Sequence, residues 1–192
     1  MKKKVSAGNI ILIAVLSILL LFVLWGVGSY NSIVKVRESV NNQSSNVSAQ
    51  LQRRADLIPN LVNTVKGYAS HESEIMNNLT ESRAKLAGAA TMGEKAQANS
   101  ELTSAISRLL MVVENYPNLK ADSQFTNLID ELSGTENRIT VARKDYNETV
   151  KIYNQKIKTF PTVIFANILG VSPAEYFQAD EGSLAVPQVN FG

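Results

Sequence analysis

Apolar side chains fill residues 10–28 with Ser17 as the single hydroxyl among them. As a helix these 19 residues would extend about 28 Å, close to the hydrocarbon thickness of a bilayer, and a helix satisfies its own backbone there. The pattern predicts a transmembrane helix over residues 9–29, with Ile10, Leu16, Leu20, Phe22 and Trp25 in the span. Behind it the rhythm changes. From residue 30 to 160 apolar positions recur every three or four residues and no segment alternates with period two, so the class is all-α.

Four helices are predicted, at about residues 30–69, 71–87, 93–116 and 122–159. In the first, Ile33, Val36, Val40 and Val47 follow three-four spacing. From Val47 the apolar positions Leu51, Ala55, Ile58, Val62, Val65 and Ala69 follow an eleven-residue repeat, and Pro59 within that run should kink the helix or begin a new one. The second carries Ile75, Leu79 and Leu86, with Ser70 as a candidate cap. Residues 88–93 break it. Thr91 and Glu94 have capping-box spacing for the third, whose face is Leu102, Ile106, Leu109, Val113 and Tyr116, and Pro117 stops it. In the fourth, Phe125, Leu132, Ile139, Tyr146, Tyr153 and Phe160 are spaced seven apart, capped by Asp122 or Ser123 and ended by Pro161.

Amphipathic helices joined by short turns pack most simply up-down-up-down. The prediction is therefore an elongated antiparallel four-helix bundle of two long and two shorter helices over residues 30–160. Antiparallel pairing of the long helices sets positions whose numbers sum to about 190 side by side. The second helix is too short to reach back to the membrane, so four-layer packing is expected only beyond about residue 50. The remaining stalk would show the face Tyr146, Val150, Tyr153 and Ile157. That face is either a candidate for a partner or a second copy, or it is covered by Ile33, Val36 and Val40.

Charge narrows the partners. Without Lys2, Lys3 and Lys4 the 19 basic side chains fall to 16 against 17 acidic, a balance of −1. Such a domain has no long-range field for nucleic acid, and no polybasic lipid patch is expected. The lysines ahead of the span, against Lys35 and Arg37 behind it, place the basic segment 1–8 in the cytoplasm and the bundle outside. A cleaved signal is disfavoured by the length of the apolar run and by residues 25–30, which offer no small-x-small site. The absence of cysteine excludes a lipoprotein anchor and any disulfide or thiolate site.

The run Gln50, Leu51, Arg53, Arg54, Asp56, Leu57, Ile58, Pro59, Asn60, Leu61, Val62, continued by Val65, Lys66, Gly67, Tyr68, Ala69, His71 and Glu72, resembles the signature of the LemA family of bacterial membrane proteins. So do Tyr30, Asn31 and Ser32 behind the anchor, and Glu136, Asn137, Arg138, Ile139, Ala142, Arg143, Tyr146, Asn147, Tyr153 and Asn154. Phe160, Pro161, Tyr176 and Phe177 extend the likeness along the whole chain. The resemblance implies a single-pass membrane protein of the bacterial cell membrane with a helical-bundle domain and no established catalytic activity. Residues 41–46 depart from it, because such proteins more often carry acidic residues and a tryptophan there.

Candidate chemistry is sparse. His71 is the only histidine; metal centres of the di-iron or zinc type need more ligands, and no serine motif accompanies it, so a cap or turn residue is the expected identity. No catalytic residue, metal site, cofactor or small-molecule substrate is predicted. Arg54 projects toward the helix seam opposite Glu136 as a candidate inter-helix pair that would specify alignment; the alternative is a solvated arginine. The apolar segment 161–177 lies near the membrane as a short interfacial helix or as a plug for the bundle end. The tail 178–192 ends polar then apolar, and Val186, Pro187, Val189 and Phe191 either dock on a partner or fray. Three functions follow: a membrane-tethered scaffold or interaction protein whose partners are the bilayer and another envelope protein or itself, an adaptor of a membrane protease, and, disfavoured, a hydrolase with an unrecognised site.

Overall fold

The computed structural model describes residues 7–69 and 71–178, and among these there are helices and connections but no strand. The helices are α1 (Ala7–Lys66), α2 (Ser73–Gly88), α3 (Met92–Val113), α4 (Pro117–Lys120), α5 (Ser123–Lys158) and α6 (Thr162–Ile168). They form two compact units. Of the described residues, one comprises 7–40 with 151–174, the other 41–69 and 71–150 with 175–178.

In the larger unit the eleven-residue stripe of α1 is the core face: Val47, Leu51, Ala55, Ile58, Val62 and Val65 are all buried, as is Ala69 behind the helix. Arg54 meets Glu136 and Tyr68 meets Asp122, so this part of α1 runs antiparallel to α5 at the register read from the sequence. Of the two outcomes expected at Pro59, a kink or a new helix, the second does not occur. The residue sits inside an unbroken α1. Proline has no N–H for the carbonyl four residues back, which here is Ala55 O. Arg83 of α2 supplies the missing donor, its Nε lying 3.1 Å from Ala55 O. Burial of Ile58, Leu61 and Val62 on either side holds the turn in place.

α2 and α3 form an antiparallel hairpin. Lys85 Nζ reaches Glu101 Oε2 at 3.0 Å near the connection, and Tyr116 O–H donates to Glu72 Oε1 at 2.9 Å at the far end. The buried face of α2 is Met76, Leu79, Ser82 and Leu86, a small rotation from the expected one, with Ile75 only half-buried. Ser70 lies outside the described residues, and Glu72 occupies the cap position of α2 without a side-chain bond. α3 opens on the capping box read from the sequence: Glu94 N–H donates to Thr91 Oγ1 at 3.1 Å and Thr91 N–H to Glu94 Oε2 at 3.0 Å. Pro117 does not simply end α3, which stops at Val113; it starts the short α4, whose Leu119 is fully buried. For α5 the cap is Asp122, whose Oδ1 accepts from Phe125 N–H at 2.9 Å.

The start of α3 packs against α1. Ser44 Oγ lies 3.8 Å from Met92 Sδ, and Lys95 Nζ donates to Ser48 Oγ at 2.9 Å, so contacts from α3 reach α1 as far along as residue 44.

In the smaller unit residues 10–25 of α1 expose nearly every large apolar side chain, as a helix meant for lipid does. Ile33 is buried, and from α5 Tyr153 and Ile157 are buried with it. Phe160 departs from the seven-residue stripe. α5 ends at Lys158, so the ring is carried out of the helical register and stands 73% exposed. α6 follows immediately and lays Phe165 against the apolar part of α1. Its ring centroid is 5.2 Å from that of Phe22 and 5.6 Å from that of Trp25.

Candidate functional site

The buried charge of the larger unit is Arg54, 3% exposed on the inward face of α1. Its guanidinium makes an ion pair with Glu136 of α5 and donates through Nη1 to Asn99 Oδ1 of α3 at 2.6 Å. Burial pulls the Arg54 pKa down while Glu136 pushes it back up, and a guanidinium keeps its charge under both. One side chain thus ties three helices together at one level. Asn99 is the member the sequence reading missed, because an asparagine on a helix carries no periodic signal of its role.

A second constellation reads backbone. In the larger unit Asn147 grips residue 177 at both ends of its carboxamide: Nδ2 donates to Phe177 O at 2.9 Å and Oδ1 accepts from Phe177 N–H at 2.9 Å. Tyr146 O–H donates to Glu175 O at 2.7 Å, and desolvation beside the Glu175 carboxylate raises the phenol's pKa. Glu175 in turn packs its carboxylate over Gly93 in the first turn of α3, where a Cβ would collide with it and where helix N–H groups favour negative charge. Phe177 is 2% exposed.

The smaller unit repeats the device. Asn154 donates to Ala174 O at 2.9 Å and accepts from Ala174 N–H at 2.8 Å, while Tyr153 O–H donates to Ser172 O at 3.1 Å. Each asparagine imitates a paired peptide group and holds an extended segment by its backbone, whatever side chains that segment carries. The signal was present: Tyr146-Asn147 and Tyr153-Asn154 are the same dipeptide seven residues apart.

These bonds correct one expectation. Tyr146, Val150, Tyr153 and Ile157 do not form an open face, since all four are at most 4% exposed. Helix periodicity shows which side of α5 is apolar but not that a strandless run 19 to 29 residues further on returns to bond Tyr146 and Tyr153. Ile10, Leu16 and Leu20 of the span are exposed, with Phe22 and Trp25 partly covered by Phe165. Val186, Pro187, Val189 and Phe191 lie outside the described residues. His71 is exposed in the turn ahead of α2. Among the described residues no group of three or more His, Asp or Glu side chains comes together as metal ligands would. The cleft between α2 and α3, about 510 Å³, is polar and open, with Glu81, Lys85, Glu101 and Arg108 on its walls.

Among the described residues, one apolar helix long enough to cross a bilayer is followed by helices with buried faces, the pattern of a helical protein with a single candidate anchor. The chain belongs to the LemA family, whose sequence profile matches residues 43–191. It is 28% identical to the magnetosome protein MamQ 2 of Paramagnetospirillum magneticum, over 83% of this chain and 70% of that protein. It is also 28% identical to Protein LemA of Metamycoplasma hominis, over 81% of this chain and 71% of the relative. The MamQ protein of Magnetospirillum gryphiswaldense is 24% identical over 97% of this chain and 80% of its own length.

Proposed function

We propose that this LemA-family chain is a non-catalytic scaffold of the bacterial cell membrane, anchored once by residues 9–29 with its N-terminus cytoplasmic, presenting a four-helix bundle to another envelope protein or to a second copy. The observation that carries this reading is α1. Its lipid-compatible residues and the buried stripe from Ile33 to Val65 belong to one unbroken 60-residue helix, so the anchor and the first element of the domain are the same structural member. The polar groups that converge inside the domain, Arg54 with Asn99 and Glu136 and the asparagines with their backbone partners, join parts of the chain to one another.

The test is affinity capture of the tagged full chain from native membranes in mild detergent. A stoichiometric partner protein or a discrete higher oligomer is the expected result. Recovery of the lone monomer from membranes would count against the scaffold reading. Protease accessibility of the domain in intact cells checks the orientation; a domain protected until the membrane is opened would reverse it.

A further inference from the structure

We propose that the segment from Phe160 to Leu169 is a second membrane element, a short wedge seated in the lipid leaflet from which α1 emerges. This rests on the reading of residues 9–29 as a span. Sixteen consecutive residues, 159–174, carry no charge, and the lysines Lys156 and Lys158 stand just ahead of them. α6 divides its side chains between two faces. Thr162, Phe165 and Ala166 are buried, whereas Ile164, Ile168 and Leu169 are open to the surroundings along with Phe160, Ile168 being 70% exposed. Apolar groups on both faces do not suit a helix lying between protein and water.

The occupant of the open face follows from what the other face touches. Phe165 sits on Phe22, Trp25 and Gly26, and a Cβ at Gly26 would come 2.8 Å from the ring, so the absent side chain is the seat. Trp25 also meets Phe160 edge-on at 6.2 Å. Phe22 stands six residues inside the end of the apolar run, about 9 Å along the helix axis, which is hydrocarbon depth. The open side of α6 at that level faces the same medium as the rest of the circumference of α1, and that medium is lipid. Lys156 and Lys158 stand where long cationic side chains reach headgroups, and Trp25 has the position of an interfacial aromatic.

The chain has no cysteine, so single-cysteine variants of the full-length protein can carry one environment-sensitive fluorophore in phosphatidylcholine vesicles containing acyl-chain spin-labelled lipid. Ile168→Cys places it on the open face, Phe160→Cys places it there at the loss of the edge contact with Trp25, Leu21→Cys places it in the span, and Ser107→Cys places it on the exposed face of α3. Quenching at 168 and 160 within about twofold of that at 21, with 107 unquenched, is the expected result. Labels at 168 and 160 as unquenched as that at 107, while 21 is quenched, would overturn the wedge and leave the span standing. A blue-shifted but unquenched label at 168 would overturn it in favour of a protein neighbour. If 21 is also unquenched, span and wedge fall together.

Discussion

Asn147 and Asn154 show how much structure a single carboxamide can set. Each pairs with both the N–H and the C=O of one residue, so alanine removes two bonds and leaves two peptide groups to find water. Asn147→Ala and Asn154→Ala should each cost about 2 kcal/mol, read as a lowered urea midpoint. They should also speed amide exchange at Phe177 and Ala174 respectively, and unchanged exchange at those amides would remove the clamp from the account. Asn→Asp keeps the acceptor and loses the donor, and should restore part of the protection. Arg54 obeys a different rule. Glu136→Ala strands a buried guanidinium and should cost about 2 kcal/mol, less than for a fully buried pair because Glu136 keeps one side in water. Arg54→Met combined with Glu136→Leu should recover most of that loss, as apolar replacements of buried pairs do. Additive single and double variants in denaturant melts would mean that the two groups do not act as a pair.

Within the elements, local signals and long-range repairs act together. α1 runs through Pro59 because Arg83 donates to the carbonyl the proline leaves open. Arg83→Met should therefore destabilise the protein by about 1 to 2 kcal/mol, whereas in a Pro59→Ala background, where residue 59 bonds Ala55 itself, the same change should cost little. Equal losses in both backgrounds would separate Arg83 from the proline. The caps of α3 and α5 give a pH dependence of definite sign. Backbone N–H groups of Thr91 and Ala90 hold the Glu94 carboxyl below its ordinary value, and Phe125 N–H with Tyr68 O–H does the same for Asp122. A depressed folded pKa means stability that is present above the ordinary carboxylate range and lost as the pH falls through the depressed value. Urea midpoints should decline below that range, and Glu94→Gln with Asp122→Asn should flatten the decline while lowering the plateau at neutral pH.

At the scale of the whole molecule, the span predicts behaviour that does not depend on any contact within the domain. Intact chain should stay with the membrane pellet through carbonate at high pH and through high salt, because transfer of residues 10–28 to water exposes a continuous apolar surface. Quantitative release of uncleaved chain in either wash would refute insertion. Family membership reaches from residue 43 to 191 and so covers most of the domain behind the anchor. The helical domain has buried faces on each long helix, and its Arg54, Asn147 and Asn154 bond other parts of the chain.

The sequence by itself determined what periodicity, local hydrogen bonding and transfer free energy can decide. Those are the long apolar helix over residues 10–28, the all-helical class of the described residues, the stripe on α1 and α5, the capping box at Thr91 and Glu94, and the antiparallel register that sets Arg54 opposite Glu136. Each depends on residues close in sequence or on a regular repeat, so it can be read along one dimension. Only the tertiary structure decided that Arg83 mends the helix at Pro59, that Asn99 completes the Arg54 cluster, and that Tyr146, Val150, Tyr153 and Ile157 are buried, with the tyrosines donating to the carbonyls of Glu175 and Ser172. It also decided that Phe165 rests on Gly26. These contacts join segments with no shared period, and their donors and acceptors are ordinary side chains until folding brings a particular carbonyl or ring within reach.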